Sequence, residues 1–167
     1  MAQFIFDVDY QVLIRTEILG ILVEDYSASK MLRAEDMAIS QIRNYLKGKY
    51  DLDSVFDIGD LVETNSGTLR DFSDPEYELS TLTGTDSRNS HIVMIVIDCA
   101  LYHLYSSIAP HKISEQRVQR YGDALDWLKD VGKGNVTADL PILKDEEGET
   151  VTDIRIKSKY ELSNQRW

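Results

Sequence analysis

The chain has 167 residues, 43% hydrophobic and 28% charged, with 18 Lys and Arg against 29 Asp and Glu for a net charge of −11. That length suits one domain with room for an extension, and the apolar share excludes a wholly disordered chain. The acid argues against nucleic acid or an anionic membrane as main partner, the single cysteine, Cys99, against a disulfide or Cys-based zinc site within one chain, and the lack of a basic-then-apolar opening against export by a standard signal peptide.

Phe4-Ile5-Phe6 is a short apolar run ahead of Asp7 and Asp9, and Asp9 is placed to N-cap a helix over about 10–19. Ser27 or Ser29 opens a second helix, 29–48. Its apolar side runs through Met31, Ala34, Ala38, Ile42, Tyr45 and Leu46, and its polar side through Arg33, Glu35, Asp36, Ser40, Arg43 and Lys47. Gly48 is its expected stop, beside Lys47 and Lys49, which suit the negative end.

The acid is uneven. Residues 51–90 hold ten acids against two bases, Arg70 and Arg88, together with Gly59, Gly67, Gly84 and Pro75. This pattern predicts a long acidic insertion loop, 59–88, on the surface of a more regular domain. Asp51, Asp53 and Asp57 begin like a calcium loop, but Val55 and Phe56 occupy the places that need an oxygen ligand and glycine, so a solvated acidic loop is the better reading.

The segment 90–109, from Ser90 to the residue before Pro110, is apolar almost all round and reads as a central buried helix. Asp98 and His103 interrupt it and argue against a membrane span. They lie about 140° apart around a helix, so they form no same-face pair. Each is read as a buried polar group answered by a neighbouring helix, for instance through Arg15, Arg43 or Asn44; a general acid–base role is the alternative. His91 and His111 flank the same helix about 30 Å apart and share no metal ion within one chain. Cys99 reads as a small buried hydrophobe.

The fourth helix, 114–132, starts at Ser114, has Val118, Tyr121, Leu125 and Leu128 at helical spacing, and stops at Gly132 and Gly134. Arg120 with Asp123 and Asp126 with Lys129 are spaced as surface pairs. Trp127 falls beside the apolar stripe and Trp167 at the far end of the numbering, so both are candidate interface anchors, with ordinary packing as the other reading. Residues 141–167 form an extended arm that contains Val151, Ile154 and Ile156 and offers a strand. The fold expected is mainly α: a small four-helix bundle over 1–140 carrying the insertion, followed by the arm. No glycine-rich phosphate loop, nucleophile elbow or metal motif is present, and no catalytic residue, cofactor or metal is expected.

Three blocks carry a family likeness. Ala34-Glu35-Asp36-Met37-Ala38-Ile39, with Ile42 and Tyr45-Leu46 on to Lys49-Tyr50, resembles the A-E-x-x-A-I-x-x-I-x-x-Y-L-x-x-R-Y helix of Mu-like phage head–tail connector (head-completion) proteins, with Lys49 in place of Arg. Asp98-Cys99-Ala100-Leu101-Tyr102-His103-Leu104 is similar to that family's D-x-A-x-Y-x-L helix, and Arg120-Tyr121 through Trp127-Leu128 to Lys133-Gly134 to its closing helix. The order and rough spacing agree over about 10–140, whereas the 59–88 insertion and the tail after Leu140 depart from the pattern. The resemblance implies a helical bundle that forms a ring, commonly twelve-fold, between the portal and the next neck or tail protein of a virion made in the bacterial cytoplasm. In that setting Trp127, Arg155, Lys157, Lys159, Arg166 and Trp167 are the expected partner-binding residues. DNA is then a passing neighbour rather than a bound ligand, and no membrane is involved. A monomeric helical regulator, or a small enzyme using Asp98, His103 or the 51–60 acids, are the competing readings.

Overall fold

Nineteen residues that are apolar on nearly every side have no stable place at a surface, and Ser90–Ile108 forms the central helix of the computed structural model, which describes residues 3–13, 28–64, 81–108, 113–144 and 150. In chain order the described elements are α1 (Asp7–Leu13), α2 (Ala28–Leu46), the one-turn α3 (Leu52–Val55), β1 (Val62–Thr64), β2 (Thr81–Thr83), α4 (Ser90–Ile108) and α5 (Glu115–Lys133). The three long helices pack pairwise on one another, and α1 packs on α4. The architecture is mainly helical, and these three helices fall within a residue or two of their expected bounds.

The core is built around α4. Ile92, Ile95, Val96, Ile97, Leu101 and Leu104 are buried there, facing Met31, Ala38, Ile42 and Leu46 of α2 and Ala124, Leu128 and Val131 of α5. Each such Ile or Leu contributes about 1.5–3 kcal/mol by leaving water. Phe4, Ile5 and Tyr10 close the core from the N-terminal side.

Several local expectations are corrected. The first helix begins at Asp7, not Tyr10, so Asp9 sits inside its first turn and its carboxylate reaches back to accept from the Phe6 amide at 2.8 Å. That is the return half of a capping box. The cap of α4 is Asn89, whose side-chain oxygen accepts from the amides of His91 and Ile92, and Ser90 is already helical. Glu35, assigned to the wet side of α2, is buried and accepts a 2.7 Å hydrogen bond from the Tyr10 hydroxyl. Ser114 caps α5 as expected, and Gly134 ends it. Gly132 lies within the helix instead: a β-carbon there would stand 3.0 Å from the Tyr45 carbonyl oxygen, so the missing side chain lets α5 approach α2.

The acidic insertion is not loop throughout. Its two arms pair as an antiparallel ladder, Val62 with Thr83, Glu63 with Leu82 and Thr64 with Thr81, favoured by β-branched Val and Thr. The start of the expected arm is also fixed. Asp51 donates its amide to the Pro141 carbonyl and Leu143 donates to that of Lys49, which sets a bridge between Tyr50 and Ile142. Lys144 forms a second bridge with Thr150.

Candidate functional site

The α4–α5 hairpin gathers the polar groups that the core helix carries. The contact stripe of α5 runs Tyr121, Ala124, Leu128, Val131, and one turn before Tyr121 and Ala124 stand Arg117 and Arg120. They occupy core-facing positions and meet the buried carboxylate of Asp98. Arg120 forks onto it, Nε to Oδ1 at 2.8 Å and Nη2 to Oδ2 at 3.0 Å, while Arg117 Nη1 approaches Oδ1 at 3.4 Å. Burial pulls the Arg117 guanidinium below its usual range, opposed by the Asp98 charge. Asp98 is thus answered by a neighbouring helix, but by α5: Arg43 pairs with Asp53 instead, Asn44 is exposed, and Arg15 lies outside the described residues. The expected Arg120–Asp123 pair does not form because Arg120 is committed to Asp98, whereas Asp126 and Lys129 do pair at 2.8 Å. Val118, read as part of the stripe, is exposed because the stripe continues through Arg117.

Beside this ion cluster a groove of about 310 Å³ opens between the two helices, lined by His91, Met94, Asp98, Arg120, Asp123 and Trp127 among others. Trp127 is half-buried, and its ring meets that of His91 edge-on at 4.5 Å. Met94 is exposed on the rim, and Asp123 makes no ion pair among the described residues. An indole, a thioether and an unpaired carboxylate around one cleft suit an apolar anchor flanked by positive charge.

His103 is placed elsewhere, at the junction of all three long helices. Its Nε2 stands 3.1 Å from Gln41 Oε1, and Gln41 donates to the Tyr121 hydroxyl at 3.0 Å. An amide oxygen only accepts, so Nε2 carries the proton. Tyr102 stacks on Tyr121 with ring centres 3.9 Å apart. Burial holds the imidazole below its ordinary pKa of 6.5, which keeps it neutral at pH 7. A wide groove of about 870 Å³ runs from His103 along Leu32, Asp36, Met37 and Ser40 of α2.

Sequence reasoning missed Arg88. Its side chain is 1% exposed and uses all five of its N–H donors: Nε and Nη2 on Asp86, Nη1 and Nη2 on Asp9, and Nη1 on the Phe4 carbonyl at 2.7 Å. The guanidinium also lies 4.8 Å from the centre of the Phe6 ring. Burial would lower its pKa, but hydrogen bonds and charge from Asp86 and Asp9 outweigh that and raise it, while Asp86 is held below the usual carboxylate range by its bond to Arg88. The available signal was an isolated base in an acidic stretch.

The remaining candidates have structural duties or fall beyond description. Asp51 caps α3, accepting from Ser54, which lowers its pKa; Asp53 binds Arg43, and Asp57 accepts from the Gly59 amide. Among the described residues, no group of three or more His, Cys, Asp or Glu side chains is placed to hold a metal ion. Cys99 is buried, and its thiol is pushed up to about 12, by desolvation first and by the Asp98 charge second. His111, Arg155, Lys157, Lys159, Arg166 and Trp167 lie outside the described residues. No helix among the described residues is long and apolar enough to cross a membrane.

Residues 86–154 match the family model described as Bacteriophage Mu, Gp36. That stretch contains Arg88, α4 and α5, so the Asp98 cluster and the Trp127 groove both lie inside it. The chain is similar to a Mu phage family over that stretch, in agreement with the Mu-like phage resemblance read from the sequence. No curated protein and no solved structure matches the chain.

Proposed function

We propose that the chain is a virion component that works by assembly rather than catalysis, forming a ring in the phage neck between the portal and the next neck or tail protein. The observation that carries this reading is the match of 86–154 to a Mu-like phage family. The disposition of the polar groups supports it. Asp98 is saturated by two arginines, His103 is bonded to Gln41, and the thiol of Cys99 is buried, which leaves none of the three exposed as a reactive group. The helical body is the rigid part, while the 59–88 insertion and the 141–167 arm contact neighbouring subunits, portal or tail.

The charge suits such a place. A channel wall made of chains that each carry −11 repels the phosphate backbone and lets DNA pass without adhering. The same charge repels neighbouring subunits, so a stable ring needs basic groups at its contacts. Negative-stain imaging of the full chain, alone and mixed with a Mu-like phage portal protein, tests the reading. Rings that dock on the portal are expected. A lone 19.1 kDa species that ignores the portal overturns the proposal and favours a monomeric regulator.

A further inference from the structure

We infer that the α4–α5 groove receives residues 151–167 of a second copy of this chain. The inference rests on the assembly reading above and names the contact that would hold neighbours together. Its starting point is an internal charge division. Residues 151–167 hold four bases (Arg155, Lys157, Lys159, Arg166) against Asp153 and Glu161, a net of +2, so residues 1–150 carry −13 of the total −11. The positive segment and the negative body are made to be neighbours, and chains that exchange the segment replace mutual repulsion with attraction.

The pattern within the segment is specific. Arg155, Lys157 and Lys159 alternate with Ile154, Ile156 and Ser158, and Tyr160 continues the second row. In extended conformation alternate residues share a side and recur every ~6.6 Å, so the three cations form one row and the apolar groups the other. On α5, Asp123, Asp126, Trp127 and Asp130 fall within about 100° of helix arc, at rises of about 4.5–6 Å between successive acids. Asp123 is exposed and makes no ion pair among the described residues, Asp126 is exposed but shared with Lys129, Asp130 accepts from Asn135, and Trp127 lines the cleft with Met94 and His91. A row of cations over these carboxylates and an isoleucine or tyrosine against the indole satisfies both sides of the arm. Seventeen extended residues reach at most about 56–61 Å, twice the length of a 19-residue helix at ~28 Å, so the segment is long enough to leave its own subunit. Docking on its own body would cancel charge within each chain and leave the copies without a bond between them, which is why the occupant is assigned to a neighbour.

The experiment mixes two full-length variants with one added cysteine each, Asp123→Cys and Lys157→Cys, under mild oxidation; the native Cys99 is buried and does not compete. A covalent pair in the mixture, well above the level in either variant alone, is the expected result. A double variant that closes its disulfide only within one chain overturns the inference, as does an unlinked mixture. A second pair checks the charge logic without cysteines. Asp123→Lys and Lys157→Glu should each weaken association about two- to fivefold per contact, and the two together should recover it. Failure of the combination to recover removes the groove as the acceptor. Rings that form without the cross-link sink this inference and spare the neck reading; cross-linked pairs that never build rings do the reverse.

Discussion

Two buried ion clusters in this molecule mirror one another in sign. In one, a single arginine, Arg88, is held by two aspartates, Asp9 and Asp86; in the other, a single aspartate, Asp98, is held by two arginines, Arg117 and Arg120. They differ in what they join. Arg88 spans 79 residues to Asp9 and 84 to the Phe4 carbonyl, tying the N-terminal segment to the end of the insertion. Asp98 spans 19 and 22 residues, from one helix to the next in the chain. Their access to water differs too. Arg88 is sealed on all five donors, whereas the Arg120 side chain remains 32% exposed and can turn outward if its partner is lost. Asp86 is 46% exposed and can turn to water, but Arg88 at 1% and Asp9 at 12% cannot, and a buried charge costs most when neither it nor the partner left behind reaches solvent. The long-range cluster is therefore the brittle one, and the hairpin cluster the tolerant one.

The largest expected effect is at Arg88. Arg88→Met should lower the unfolding free energy by about 3–5 kcal/mol in urea titration, because Asp9 is left desolvated. A loss under about 1 kcal/mol would erase the contrast. Asp98→Asn comes next, at about 1.5–3 kcal/mol, the worth of hydrogen bonds to a charged group; a cost equal to that of Arg88 would make the two clusters equivalent.

Acid provides a third probe. Asp86 has a folded-state pKa below its ordinary 3.8, so the stability it supplies is present above that value and is lost as pH falls through the lowered one. Arg88→Met should remove that part of the acid transition while Asp98→Asn leaves it in place. His103 sharpens the picture at milder pH. Its folded pKa lies below 6.5, so the unfolded chain takes up the proton first, and stability is full above pH 6.5 and declines as pH falls through the folded value. Unfolding midpoints followed from pH 8 to pH 5 should show that slope in the native chain and lose it in His103→Gln. The smallest effect is kinetic. Cys99, next to Asp98 and pushed up to about 12, should resist a thiol reagent until the helix opens, and Asp98→Asn should speed its labelling more than Arg88→Met does relative to the stability each removes. Equal acceleration would show that only global unfolding exposes it.

The helices were legible because each carries a periodic signal and punctuated ends: the Met31 to Leu46 stripe with Gly48 after it, and Ser114 and Gly134 around α5. The site was legible only in outline. Asp98 reads as a buried carboxylate that needs a neighbouring helix, but the sequence does not say which, and its partners stand on α5 rather than at Arg15, Arg43 or Asn44. Arg120 reads as a surface partner of Asp123, and Arg117 carries no signal of its own, because spacing alone does not say that the α5 stripe turns polar one helical turn before Tyr121. Glu35 was lost the same way, since a single acid next to an apolar stripe reads as wet until Tyr10 arrives from α1. Trp127 stands out in the sequence, but its partner His91 sits 36 positions earlier and no local pattern links them.

What the sequence determined by itself is what depends on near neighbours: helical periodicity, caps and stops, the apolar character of α4, and the distribution of charge that sets an acidic body against a basic 151–167 segment. Those properties arise from contacts within a few residues or from simple sums, so the order of letters contains them. Tertiary structure alone decided which charges from distant segments are paired. Arg88 stands in an acidic stretch that composition assigns to the surface, and it became a buried five-donor hub only because the fold carries Phe4, Phe6 and Asp9 to it from the far end of the domain. Burial and pairing depend on distances between segments tens of residues apart, and only the packed chain fixes those distances.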